Sequence, residues 1–183
     1  MRLFTAIDIT DDVIRRLEGL IEELRPSARI AWSPPANLHV TTKFIGEWPD
    51  EKLDEITAAL RGLSRRDPFS IEIRGVGFFP NPRSPRVFWA GVHAPGALGE
   101  LALETDRALA RIGVPAETRA FSPHLTLARI KTPVPLDPLH KAIAALESTD
   151  WGSFTVDRFF LYRSRLTPSG SIYTKLSEFP FAP

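Results

Sequence analysis

The sequence predicts a mixed helix-and-strand domain assembled from two like halves, and three observations predict it. Apolar residues recur with strand period and helix period in alternation along nearly the whole chain. The order strand, helix, strand, helix, strand occurs twice, over about 1–80 and about 86–165. The same triplet, His-x-Thr, stands in the middle strand of each half, as His39-Val40-Thr41 and His124-Leu125-Thr126.

The first strand is read over residues 2–9, β-branched and apolar enough to be buried, and Thr10 supplies an N-cap for a helix through Arg25. Val13, Ile14, Leu17, Leu20, Ile21 and Leu24 fall on one face of that helix. After the Pro34-Pro35 break come a strand over Leu38–Ile45, an amphipathic helix over Asp50–Leu63 and a strand over Phe69–Phe79 with Ile71 and Ile73 in phase. The second set reads as strand Arg86–His93, helix Ala97–Ile112 with Gly113 placed to cap it, strand Ser122–Ile130, helix Leu136–Leu146 and strand Phe154–Tyr162. A last strand near 171–176 follows the turn cluster Thr167–Gly170. Prolines cluster between these segments, at Pro34-Pro35, from Pro80 to Pro85 and from Pro133 to Pro138, and punctuate them.

Lys and Arg number 23 against 22 Asp and Glu, so the net charge of +1 supplies no field for holding a long polyanion, and a nucleic-acid partner would be touched locally. The absence of cysteine removes disulfides, thiolate metal sites and a cysteine nucleophile, and agrees with a cytoplasmic setting. The N-terminal apolar run Leu3–Ile9 is broken by Thr5 and Asp8, which makes it neither a signal peptide nor a membrane span. A soluble protein is expected, acting as a monomer away from membranes.

The triplets carry the chemistry. In a strand, residues i and i+2 share a face, so each triplet aims an imidazole and a hydroxyl one way while Val40 or Leu125 faces a core. Two such strands across one cleft would surround a point with two imidazoles and two hydroxyls. In-line displacement at phosphorus needs a base on the attacking side and an acid on the leaving side, and histidine, with an ordinary pKa near 6.5, serves as either at neutral pH. The threonine hydroxyls can donate to the non-bridging oxygens.

A single His-x-Thr is a weak signal, since strand histidines are often structural; two at matching places in a repeated pattern are a much stronger one. His93, ending a strand before Pro95, and His140, on a helix after Pro138, read as surface or capping residues. Lys43 shares the parity of His39 and Thr41 and could neutralise a phosphate, whereas Arg129 lies an odd number of residues from His124 and points away unless a bulge redirects it. Each is as readily a solvated strand-end cation. Arg163 and Arg165 read as surface, and Phe4, Phe121 and Tyr173 as base-stacking candidates that are more ordinarily core. Gly75-Val76-Gly77 starts like a dinucleotide loop, but Pro80 occupies the third glycine position. No phosphate loop or nucleophile elbow is present, and neither triplet has the spacing or neighbouring carboxylate of a zinc site. No metal and no cofactor are expected.

With their surroundings the triplets resemble the 2H phosphoesterase superfamily, and within it the RNA 2',3'-cyclic phosphodiesterases first described as 2'-5' RNA ligases. The resemblance runs through Arg2-Leu3-Phe4 and Ala6-Ile7-Asp8, Asn37 to Thr41 with Lys43 to Gly46, Arg86 to Gly91, Pro123 to Arg129, and Leu161 to Ser164. It implies an α+β, bilobal fold, two antiparallel sheets related by a pseudo-two-fold axis with helices outside and a central cleft, all in one domain over 1–183. It further implies that His39 protonates the ribose O3', that His124 activates water, and that Thr41, Thr126 and Arg129 hold the phosphate. Thr42 stands where the family usually has an apolar residue. The expected activity is hydrolysis of an RNA 2',3'-cyclic phosphate end, to a 2'-phosphomonoester, with weak 2'-5' ligation as a related transesterification. The competing expectation is a module of the same fold that binds a nucleotide or RNA end without turnover.

Overall fold

The computed structural model of the chain describes residues 1–182. Each half supplies strands to both sheets. In order, β1 (Arg2–Asp8), α1 (Asp11–Leu24), β2 (Ala31–Trp32), β3 (His39–Glu47), α2 (Leu53–Arg61) and β4 (Phe69–Phe79) make up the first half. The rest comprises β5 (Val87–His93), α3 (Gly96–Ala110), β6 (His124–Arg129), α4 (Asp137–Ala144), β7 (Asp150–Val156), β8 (Arg158–Thr167) and β9 (Gly170–Pro180). One sheet has the order β3-β1-β8-β9 and the other β2-β6-β5-β4-β7, with every pairing antiparallel. The fold is therefore α+β, with two antiparallel sheets.

The halves repeat in element order and in sheet order, β3-β1-β8 in one sheet matching β6-β5-β4 in the other, with their third strands exchanged. β4, from the first half, pairs with β5 and β7, while β8, from the second, pairs with β1. The helices cross over too: α3 packs behind β3 and against α2, and α1 packs against β7 and α4. Period and composition say which segments are strands; they do not say which sheet a strand joins, because a half-buried strand looks alike in either. The same blindness joined β7 and β8 into one expected strand over Phe154–Tyr162. The chain leaves one sheet for the other at Asp157, whose carbonyl accepts from the Phe181 amide at 2.8 Å. The two-residue β2, which extends the second sheet alongside β6, was too short to read.

Local chemistry otherwise acts as the residues suggest. Val13, Leu17, Leu20, Ile21 and Leu24 of α1 are buried, each contributing about 1.5–3 kcal/mol of hydrophobic stabilisation. Thr10 occupies the N-cap with extended backbone but makes no side-chain cap; Asp11 and Asp12 meet the helix dipole instead. Gly113 ends α3 in the left-handed region at φ 102°, with the Val114 amide reaching back to Leu109 at 3.1 Å. The buried residues form one continuous apolar cluster running through both sheets and their helices.

Candidate active site

The two triplet strands lie in different sheets, β3 at an edge and β6 beside β5, and residues of the two come within 8 Å Cα to Cα. That approach brings the two histidines into one site. His39 Nδ1 sits 2.7 Å from the Asn37 carbonyl and His124 Nδ1 2.8 Å from the Ser122 carbonyl. A carbonyl only accepts, so each Nδ1 carries its hydrogen and the neutral ring keeps a bare Nε2. The same device, a carbonyl two residues upstream, orients both rings. His39 Nε2 lies 2.9 Å from the Thr41 hydroxyl, while His124 Nε2 has no hydrogen-bond partner within the protein among the described residues.

Aromatic rings fix each imidazole from the side. Phe4 lies 4.9 Å from His39 and stacks on Tyr162 at 5.3 Å, and Tyr173 meets His39 edge-on at 5.2 Å. On the other side Phe79 meets His124 edge-on at 4.9 Å and packs on Trp89. Of the expected base-stacking residues, Phe4 is buried and Phe121 packs against the core, while Tyr173 stands beside His39. Burial holds the His39 imidazole below its ordinary pKa, as do the charges of Arg129 and His124; the Asn37 carbonyl and Asp8 pull it back up.

Both triplet strands contain a bulge at the same place, and it decides the two cations. On β3 the register passes from Ala6 opposite Thr41 to Thr5 opposite Lys43, leaving Thr42 as the extra residue. On β6 it passes from Trp89 opposite Thr126 to Phe88 opposite Ala128, leaving Leu127 extra. Each bulge reverses the parity beyond it. Arg129, paired with Val87, thereby returns to the face of His124 and Thr126. Lys43 goes the other way, which corrects the expectation from simple alternation. It is buried on the back of the sheet, where its ammonium donates to Asp106 Oδ1 at 2.6 Å and to the Pro115 carbonyl at 2.9 Å. Its counterpart in the second sheet is the small, fully buried Ala128, and the counterpart of Arg129 is the half-exposed Phe44.

Side-chain chemistry holds the bulges. Thr42, the departure noted in the sequence, hydrogen-bonds the buried Thr5 hydroxyl at 2.7 Å. On β6 the Ser33 amide donates to the carbonyl of the bulged Leu127 at 2.8 Å, and the Ser33 hydroxyl donates to the Thr126 carbonyl at 2.9 Å. The remaining cations and histidines stand apart. Arg163 and Arg165 lie on β8 at positions that alternate away from Tyr162, and His93 caps the exposed end of β5. His140 packs on Phe78. Among the described residues no three His, Cys, Asp or Glu side chains converge as a metal site would need.

A family model for the 2'-5' RNA ligase superfamily matches residues 11–167. The chain belongs to that superfamily. Its relatives include an RNA 2',3'-cyclic phosphodiesterase of Methanothermobacter thermautotrophicus, 37% identical over 98% of both chains. A second, from Thermotoga maritima, is 37% identical over 99% of this chain and 96% of its own. Among solved structures, a protein of Thermus thermophilus superposes with a TM-score of 0.84 at 33% identity over 99% of this chain and 98% of its own. E. coli LigT complexed with 3'-AMP superposes at 0.79 with 27% identity, covering 98% and 97%.

In this member of the superfamily one residue near the histidines was not found by sequence reasoning. Asp8 is the direct cross-strand partner of His39, so a carboxylate does neighbour the first triplet. Its Oδ1 accepts from the Tyr162 hydroxyl and its Oδ2 from Lys175 Nζ at 2.6 Å. Asp8 lies far from His39 in sequence, and only the β1–β3 register, invisible in a single sequence, joins them.

Proposed function

We propose that the chain hydrolyses the 2',3'-cyclic phosphate at an RNA end, with His39 as proton donor and His124 as proton acceptor. One observation carries the reading: each imidazole is tied through Nδ1 to a backbone carbonyl, on matched strands, so that neither Nε2 is held by the backbone, His124 Nε2 being unpartnered among the described residues and His39 Nε2 meeting the Thr41 hydroxyl. The relatives that bear the name RNA 2',3'-cyclic phosphodiesterase support it over the length of the chain.

The steps follow from the ring states. His124, neutral with a bare Nε2, takes a proton from water as the water oxygen attacks phosphorus. The P–O3' bond on the opposite side breaks, and His39, protonated at Nε2, turns its hydrogen from the Thr41 hydroxyl to the departing O3'. One P–O bond forms and one breaks, one proton enters and one leaves the pair, and the product is a 2'-phosphomonoester. Each proton transfer contributes roughly 10²- to 10⁴-fold. Arg129 forks onto the non-bridging oxygens and the hydroxyls of Thr41 and Thr126 donate to them, where charge develops. None of this calls for a metal or cofactor.

Contact is confined to the RNA end, because a chain of net charge +1 has no long basic track. No helix among the described residues is long and apolar enough to cross a membrane, and we read the chain as a cytoplasmic monomer. Weak 2'-5' ligation is the related transesterification at the same groups. Incubating the protein with an oligonucleotide ending in a 2',3'-cyclic phosphate tests the reading. A new 2'-phosphate end is expected; binding with the cyclic end left intact would instead make the protein a binding module.

A further inference from the structure

The two triplet strands match residue for residue, yet the residues facing them across the ladder do not. Asp8 of β1 stands opposite His39, and at the same place on β5 Gly91 stands opposite His124. The glycine is enforced, since a Cβ there would lie 2.4 Å from the Arg74 carbonyl oxygen. We propose that Asp8 is a positioning residue that keeps the proton on His39, and that this one-sided carboxylate turns two like motifs into an acid and a base. The proposal rests on the roles given to His39 and His124 above.

Asp8 is built to stay where it is. The Tyr162 hydroxyl donates to one carboxylate oxygen and Lys175 to the other, and the Lys175 ammonium lies 3.9 Å over the Phe160 ring. Tyr162 is pinned in turn by stacking on Phe4, which also touches His39. A carboxylate clamped at both oxygens cannot swing to hydrogen-bond a substrate, so its effect on the reaction passes through the imidazole it faces. The other charges around His39 oppose it: His124 and Arg129 approach from β6, and burial removes the water that would support an imidazolium. From β9, Lys175 dilutes the carboxylate without cancelling it, and the phenols of Tyr162 and Tyr173 complete the ring of groups on β8 and β9. Asp8 is the carboxylate that favours the charged ring, beside the hydrogen bonds of the Asn37 carbonyl and the Thr41 hydroxyl. His124 needs no such support, because a base must be empty when substrate arrives.

Asp8→Asn removes the charge and keeps the shape. In histidine-labelled resting enzyme, NMR titration should show the His39 midpoint falling by roughly half a unit to one unit, because an attractive charge has been lost. The kcat/KM on a 2',3'-cyclic phosphate should fall about three- to tenfold, the same shift read as a population of protonated acid. On a nitrophenyl phosphodiester, whose leaving group needs no proton, the variant should keep nearly wild-type rates. Lys175→Met should move the His39 midpoint upward, the opposite sign, and serves if Asp8→Asn does not fold. An unmoved His39 midpoint in whichever variant folds, or equal slowing on both substrates, would overturn the proposal in favour of a purely structural Asp8. If the wild-type enzyme leaves cyclic phosphates intact, the functional reading fails, and the NMR titration still decides whether Asp8 holds the His39 proton.

Discussion

Replacing Asp106 by alanine strands the Lys43 ammonium behind the catalytic strand. In the native protein Lys43 is 4% and Asp106 16% exposed, with Nζ and Oδ1 2.6 Å apart. The carboxylate also accepts the exposed Glu117 amide at 3.0 Å, and its removal leaves the buried Lys43 ammonium with the Pro115 carbonyl as its remaining acceptor and no counter-charge. Breaking one side of a buried pair costs about 3–5 kcal/mol, and the partial exposure of Asp106 places this one at the low end, about 3 kcal/mol. For a chain of this size that is a fall in Tm of about 6–12 °C. The pH dependence has a fixed sign. Burial pushes the Asp106 carboxyl up, but the Lys43 hydrogen bond, the Glu117 amide and the Lys43 charge outweigh it and hold the group below the usual carboxylate range. A depressed folded pKa contributes stability that is complete above the unfolded value and is lost as pH falls through the folded one. The Tm gap between wild type and variant, measured by circular dichroism, should therefore be full at pH 7 and narrow below about pH 4. Activity of the folded variant at 25 °C should stay near wild type, because Lys43 faces away from the site. A Tm within 2 °C of wild type would refute the buried pair, and a collapse of turnover in a stable variant would return Lys43 to the phosphate.

Three further outcomes follow from the site. Arg129→Ala should lower kcat/KM by roughly 10²- to 10³-fold with an unchanged melt, if the exposed cation on the face of His124 and Thr126 meets the developing charge as proposed; a loss under tenfold would place it outside the phosphate site. Gly77→Ala drives a Cβ to 2.2 Å from the Trp89 ring, which packs on Phe79 beside His124; destabilisation of about 1–3 kcal/mol with reduced turnover is expected, and a neutral result would mean the Trp89 ring can move freely. Turnover should survive excess EDTA, and loss restored by a divalent ion would contradict an acid and base of imidazole alone.

The histidines were legible because the signal is short-range. Two residues on one strand face share a direction whatever the strand pairs with, so His39 with Thr41 and His124 with Thr126 follow from sequence alone. The repeat of element order was legible for the same reason, since period is local. What was not legible depends on pairing. Lys43 and Arg129 were both misplaced by counting parity, and both were reversed by bulges at Thr42 and Leu127 that no pattern in the strand announces; for Arg129 the family resemblance supplied the right face. Thr42, which stands where the family usually has an apolar residue, sits at one bulge, where its buried hydroxyl finds a partner in Thr5. The exchange of β4 and β8 between the halves, and the meeting of Asp8 with His39, are long-range facts of register.

The central claim is the division of labour between His39 and His124, and two variants on two substrates test it most directly. His39→Ala and His124→Ala are each compared with wild type on an RNA 2',3'-cyclic phosphate and on a nitrophenyl phosphodiester, with melts to show that both are folded. Both variants should lose most activity on the RNA end. On the nitrophenyl ester, where the leaving group needs no proton, His39→Ala should regain much of its rate while His124→Ala stays impaired. Recovery of His124→Ala instead would reverse the two roles, and equal impairment of both variants on both substrates would mean that the histidines hold the phosphate and do not move its protons.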